Sequence, residues 1–259
     1  MTPTLELLHV TPETGRAYEA LDALAKAATR AGARVAVSTK YDGSAPWLLL
    51  WGPGAPDRQA AIRKQVASGG HAIALDLAYW SRDRKVRVSF DGPHPQAYVM
   101  LKSWPRSRFA SDPVHVDNLW NPRGPVVVAG IGEKATVQYG AAVVKSWEAE
   151  QARAAEAAGY RVVSRPKKPI VTPIETALRG AAAVITYHSN VAVDAIRLGV
   201  PAICRDGAAA AVCTSSWPAD LHPLPGSWRD GFLSNLAWFQ WDLATEAKAC
   251  WRWIEEVLE

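Results

Sequence analysis

Short apolar runs alternate with stretches whose apolar positions recur every three or four residues. LELLHV (5–10), ARVAVS (33–38), PWLLLWGPG (46–54) and HAIALDLAYW (71–80) read as strands. GRAYEALDALAKAATRAG (15–32) and DRQAAIRKQVASGG (57–70) carry helical spacing, and both stop at glycine. The rhythm is β-α-β-β-α-β, which predicts a mostly parallel sheet flanked by helices. KVRVSF (85–90) alternates basic and apolar side chains, the pattern of a half-exposed strand. Residues 105–123 are rich in Pro, Ser, Asn and Asp and read as a linker.

The rhythm restarts after it. VVVAGIG (126–132) is a strand ending in a glycine loop, and SWEAEQARAAEAAGY (146–160) is a helix. RVVSRPKKP (161–169) is a strand running into a basic loop, and TPIETALRG (172–180) is a helix with Pro after a Thr cap. AAAVITYHSNVAVDAIRLGVPAICRDG (181–207) reads as strand, polar elbow, helix, Gly-Val-Pro and strand. Residues 235–259 form one long helical pattern with a Trp-rich face. Two units of similar size predict two Rossmann-like domains, 1–122 and 123–234, followed by a terminal helix, 235–259.

Composition narrows this picture. No apolar run reaches the length of a membrane span, and the N-terminus lacks the layout of a secretion signal. Three cysteines, Cys204, Cys213 and Cys250, show no CxxC spacing, which points to a reducing cytoplasm rather than a disulfide framework or metal cluster. Charge is uneven. Residues 1–123 carry 16 Lys and Arg against 11 Asp and Glu, while 124–259 carry 13 against 14. An anionic partner would therefore meet the first half.

The elbow carries the clearest chemistry. Ligands of open parallel sheets sit beyond the carboxyl ends of the strands. A helix N-terminus there offers free N–H groups and partial positive charge to a phosphate. His188, Ser189 and Asn190 stand at that point, and Asp194 follows one turn later, where a carboxylate could accept from a ribose diol. Gly130 and Gly132 end the preceding strand and would let a backbone approach a ligand, with Lys134 next to them. Lys167 and Lys168 follow another strand on the same sheet edge. Each of these also has a plainer reading as a cap, a tight turn or a solvated lysine.

In the first half, Asp76 is an acid inside an apolar strand. It is the first candidate for a general base, with His94 (DGPHPQ) and Asp42 (KYDGS) as alternatives; a buried structural acid is the competing reading. Residues 81–109 hold Arg82, Arg84, Lys85, Arg87, Lys102, Arg106 and Arg108 against Asp83 and Asp91, with Tyr98, Trp104 and Phe109 interleaved. Basic side chains can contact phosphates and aromatic rings can stack on an extruded base.

TYHSNVAVDAIRLGVPAIC resembles the donor-binding motif of GT-B glycosyltransferases. That resemblance implies an α/β fold of two facing Rossmann-like domains, a C-terminal helix crossing back to the first, a diphosphate held at the elbow and a ribose held by the helix acid. The family often has Glu where this chain has Asp194. ALDLAYWSRDRKVRVSFDGPHP, HSNVAVDAIRLGVPAIC and LAWFQWDLATEAKACW together resemble bacteriophage-encoded glycosyltransferases that decorate modified pyrimidines in DNA. This implies transfer from a nucleotide diphosphate-sugar, a UDP-sugar first, to a 5-hydroxy or 5-hydroxymethyl pyrimidine in phage DNA within the host cytoplasm. No cofactor is expected beyond the donor. The chain has no Asp-x-Asp, the pair that commonly holds a metal in GT-A enzymes, so a metal-independent mechanism is expected. A nucleotide-sugar epimerase, a surface-polysaccharide glycosyltransferase and a non-catalytic DNA-binding phage protein are the alternatives.

Overall fold

The computed structural model describes residues 4–8, 15–130, 132, 138–166 and 173–258. The chain forms two compact units, Met1–Pro95 with Phe239–Glu259, and Gln96–Trp238. Residues 96–122, read above with the first half, belong to the second unit.

The strands of the first unit are β1 (Thr4–Leu8), β2 (Arg34–Ser38), β3 (Trp47–Trp51), β4 (His71–Leu77), β5 (Val86–Phe90) and β10 (Gln240–Trp241). They form a six-stranded sheet of order β10-β5-β4-β3-β1-β2. β1 to β4 pair in parallel, as the alternation of strands and helices requires. β5 and β10 add antiparallel. The helices are α1 (Gly15–Arg30), α2 (Pro56–Ala67) and α8 (Leu243–Leu258), and α8 packs on α1.

Two expectations change here. β5 is buried along its whole length rather than half-exposed, because β4 and β10 flank it and Arg87 is neutralised across the sheet. The terminal pattern is not one helix. A helix ends at Ala237, Gln240–Trp241 pairs with Val86–Arg87, and α8 starts afresh after Asp242. Asp242 Oδ1 accepts the Ala244 N–H at 3.2 Å, and the Asp242 N–H donates to Glu246 Oε2 at 3.0 Å. These reciprocal bonds satisfy donors that a new helix start leaves orphaned.

The strands of the second unit are β6 (Val126–Ala129), β7 (Val162–Arg165), β8 (Ala183–Thr186) and β9 (Ala202–Cys204). They form a four-stranded parallel sheet of order β7-β6-β8-β9. The helices are α3 (Ser107–Ser111), α4 (Ala141–Ala157), α5 (Ile174–Leu178), α6 (Val191–Arg197) and α7 (Gly226–Ala237). β6, β8 and β9 are almost wholly apolar and buried, as strands covered on both faces must be. Gly199, in the Gly-Val-Pro turn, has φ +68° and leaves no room for a side chain: a Cβ would stand 2.9 Å from the Asp117 carbonyl. Among the described residues, no helix is long and apolar enough to cross a membrane.

Candidate functional site

In the second unit the chain leaves β6 for β7 on one side and later returns to β8 on the other. Strand order therefore reverses between β6 and β8, and the crevice outside their carboxyl ends is where such sheets bind ligands. Gly130 and the His188–Asn190 elbow both stand at those ends. Gly130 donates its N–H to Arg165 O at 3.1 Å, tying the end of β6 to that of β7. Gly132 is half-buried. Lys134, Lys167 and Lys168 lie outside the described residues.

The elbow is braced from below and behind. Ser189 donates its N–H to Thr186 Oγ1 at 3.4 Å, and Ser189 Oγ accepts the Val191 N–H at 3.3 Å. Asn190 occupies the helix cap, but its side chain makes no capping bond. The Tyr187 carbonyl accepts N–H groups from Arg205 and Asp206 at 3.0 and 2.8 Å, so the turn after β9 clasps the elbow. Asp206 accepts from the Tyr139 hydroxyl. Gly207 donates its N–H to Gln96 Oε1 at 2.9 Å. With φ +93°, a Cβ on Gly207 would lie 2.9 Å from the His188 carbonyl. Gly207→Ala should therefore cost about 2 kcal/mol in denaturant unfolding through backbone strain. A loss below a few tenths of a kcal/mol would show that the two turns are not tightly coupled.

Rings gather around Tyr187. Tyr139 and Trp147 lie 4.9 and 5.5 Å from it between centroids, and Tyr139 lies 5.1 Å from the half-buried His188. Burial pushes the carboxyl of Glu148, on α4, above the ordinary range, with the Tyr187 backbone N–H acting in the opposite direction. A folded state that raises a carboxyl binds its proton more tightly than the unfolded chain does. That stability is full below the ordinary carboxylate range and is lost as pH rises through the folded value. Glu148→Gln should flatten this decline in melting temperature, and an unchanged pH profile would contradict the assignment.

Asp194 has a partner that the sequence pattern did not show. Its Oδ1 accepts from Arg197 Nε at 3.1 Å, one turn along α6. Arg197 also donates to Glu175 Oε1 on α5 at 2.5 Å and to the His115 carbonyl at 3.3 Å. Its guanidinium holds the Glu175 carboxyl below the usual range. Asp194 thus stands in a network that ties α5 to α6.

In the first unit, Asp76 sits opposite Arg87 in the antiparallel β4–β5 register. Asp76 Oδ2 accepts from Arg87 Nη2 at 2.8 Å, and Oδ1 accepts the Leu77 N–H at 2.7 Å. The Asp76 side chain remains 32% exposed, while that of Arg87 is 7% exposed. The Arg87 guanidinium lies 5.6 Å from the Tyr79 ring, and the Tyr79 hydroxyl meets Nδ1 of buried His94 at 3.2 Å. The two base candidates thereby belong to one connected cluster. Gln240 supports it, its Oε1 accepting the Tyr79 and Trp80 N–H groups at 2.7 and 3.1 Å. Asp42 lies in a separate turn, donating its N–H to buried Glu6 at 3.0 Å.

The basic segment is divided. Arg82 and Arg84 are exposed, Lys85 and Arg87 are buried, and all four belong to the first unit. Lys102, Trp104, Arg106 and Arg108 belong to the second. There Lys102 Nζ lies 4.0 Å from the Trp104 ring, which stacks on Trp238 at 5.3 Å. Arg108 lies 5.7 Å from Trp238, and Arg106 pairs with Asp230 at 3.8 Å. Trp104 is buried, so its ring belongs to this stack rather than to a platform open to a flipped base. Among the described residues, no group of three or more His, Cys, Asp or Glu could hold a metal ion.

Sequence reasoning missed Glu148, Arg197, Asp206 and Tyr79. Asp206-Gly207 at a strand end is a readable turn signal. Glu148 sits in a helix rich in Ala and Glu, where nothing distinguishes it from solvated neighbours.

No protein-family model matches the chain, and no curated protein matches its sequence. Among solved structures it is similar to the Thermosulfurimonas dismutans KpsC beta Kdo 2,7 transferase, with TM-score 0.54, 11% identity, and coverage of 97% of this chain and 99% of that one. It is also similar to the beta Kdo 2,4 transferase of the same KpsC, with TM-score 0.49, 10% identity, and coverage of 93% and 92%. The first likeness shows the fold, an α/β chain of two Rossmann-like units of GT-B type.

Proposed function

We propose that this chain is a glycosyltransferase that moves a sugar from a nucleotide-sugar donor to an acceptor hydroxyl. The observation that carries the reading is the polar elbow at the carboxyl end of β8, beside the switch point of a parallel sheet. The fold likeness to a Kdo transferase over nearly the whole chain supports it. In this reading the second unit binds the donor. Gly130 and the backbone of His188, Ser189 and Asn190 approach its phosphates.

The acceptor oxygen forms a bond to the anomeric carbon while the bond from that carbon to the phosphate oxygen breaks. The acceptor's proton passes to a base, and the nucleotide leaves carrying the negative charge. Asp76 is the proposed base, since its carboxylate stands one-third exposed at the carboxyl end of β4 and Arg87 fixes its orientation. Tyr79 and His94 hold the other side of Arg87's surroundings. No metal takes part in the proposed reaction.

The acceptor favoured here is a hydroxyl of a glycan, as in assembly of a surface polysaccharide. The fold likeness to a beta Kdo 2,7 transferase supports this choice. A hydroxylated or hydroxymethylated pyrimidine in DNA is the second reading, and exposed Arg82, Arg84, Lys102 and Arg106 favour it. Thermal unfolding with a panel of nucleoside mono- and diphosphates tests the donor half. A ligand at one hundred times its Kd should add about 2.7 kcal/mol of stability, a rise of several degrees. Melting temperatures unmoved by every nucleotide would remove the donor site.

A further inference from the structure

β9 ends on a buried thiol. Cys204 is wholly buried at the last position of that strand, and neither it nor half-buried Cys213 is in a disulfide. The chain between them makes a tight return. It turns at Asp206-Gly207, passes through a short 3-10 helix (Ala208–Ala211) and comes back beside β9, where Ile203 and Thr214 bridge in parallel. Cys204 donates its N–H to Thr214 O at 3.0 Å, and Cys213 donates its own to Ala209 O at 2.9 Å. The two cysteines therefore flank one backbone bridge, Cys204 just after Ile203 and Cys213 just before Thr214. Their side chains interact: Cys213, ahead of burial, pushes the Cys204 thiol above its ordinary range.

A buried cysteine by itself packs as a small apolar side chain. A second, partly exposed thiol beside it gives an oxidant an entry. A thiol held protonated is a poor nucleophile, so an oxidant reacts first at Cys213. Cys204 is then the thiol that resolves the oxidised sulfur.

We propose that Cys204 and Cys213 form a reversible disulfide that tethers the turn clasping the elbow. The oxidant is a peroxide. The Cys213 sulfur attacks it and keeps one hydroxyl as the sulfenic acid, while the other oxygen takes the Cys213 proton and leaves as water. The Cys204 sulfur then attacks the sulfenic sulfur. The S–S bond forms, the S–O bond breaks, and the departing hydroxide takes the Cys204 proton and leaves as water. Two electrons pass from the two sulfurs to the peroxide, and a dithiol reductant returns them. The closed ring, 204–213, contains Arg205 and Asp206, whose N–H groups hold the Tyr187 carbonyl, and Gly207, whose N–H holds Gln96. Closing that ring removes conformations in which the turn leaves the elbow. In a reducing compartment such a bond is transient, with free thiols as the resting state. The inference does not depend on the glycosyltransferase reading.

Mass spectrometry of the folded full chain after hydrogen peroxide tests it. The treated protein is denatured, alkylated and digested without reductant by trypsin, which cuts between the two cysteines at Arg205. The expected product is one cross-linked pair joining the Cys204 and Cys213 peptides, lighter than the separate peptides by two hydrogen atoms and lost after dithiothreitol. Cys250, wholly buried in the first unit, should be found alkylated, and Cys213→Ser should yield no cross-link. Hydrogen exchange at the Arg205 and Asp206 amides should slow by about tenfold or more in the oxidised chain. Both peptides alkylated after peroxide, sulfinic acid at Cys213 without the cross-link, or a link between two chains overturns the disulfide. A cross-link with unchanged exchange at those amides overturns the tether.

Discussion

Trp253→Ala should lower the unfolding free energy by about 4 kcal/mol, in the range for large aromatic truncations in a core. The side chain is 3% exposed. Its ring lies 5.4 Å from Phe90, 5.0 Å from Phe239 and 5.5 Å from Trp241, joining α8 to β5 and β10. Each aromatic pair adds about 0.5–1.5 kcal/mol beyond area burial. Domains are stable by only about 5–15 kcal/mol, so this is a large share of the total. Truncation after Trp238 should be more severe. It removes β10 and α8, uncovers the face of α1 on which α8 packs, and leaves Val88 without the carbonyl of Phe239. That variant should be insoluble. A chemical denaturation midpoint for Trp253→Ala within 1 kcal/mol of the wild type would show that the aromatic cluster is not the anchor of the first unit.

Asp76 should separate catalysis from stability in two substitutions. Asp76→Asn preserves an acceptor for Arg87 or for the Leu77 N–H, so it should remain folded. An amide cannot take a proton at neutral pH, and kcat should fall by roughly 10²–10⁴. Asp76→Ala instead strands the buried Arg87 guanidinium, whose Nε already finds no partner among the described residues. Breaking a buried pair on one side costs about 3–5 kcal/mol, and partial exposure of Asp76 places this one near the lower end. Wild-type kcat in Asp76→Asn would make the pair purely structural.

The alternation of β and α elements is legible in the chain because burial on one or both faces imposes its own period on the sequence. Gly32, Gly69 and Gly199 also mark turns where φ is positive. The elbow is legible through a break in that period: His188, Ser189 and Asn190 interrupt an apolar strand just where a helix start leaves backbone donors open. What escapes is tertiary. Arg87 reads as an exposed member of an alternating strand until Asp76 is placed opposite it by the β4–β5 register. Asp194 reads as available until Arg197 is seen beside it, although the two are three residues apart on one helix. The terminal segment reads as one helix because its apolar spacing runs on across Asp242, and only pairing with β5 extends Gln240 and Trp241. Trp104 reads as a stacking surface until Trp238, distant in sequence, covers it.

The most direct test is transfer itself. The full chain would be incubated with a panel of nucleotide sugars and two acceptor sets: oligosaccharides of surface-polysaccharide type, and DNA carrying 5-hydroxymethyl pyrimidines. Mass spectrometry would read both acceptor and donor. A product heavier by one sugar residue, with matching nucleotide release and loss of both in Asp76→Asn, is the expected result. Intact donors and acceptors throughout, from protein that is folded and binds no nucleotide, would contradict the glycosyltransferase reading.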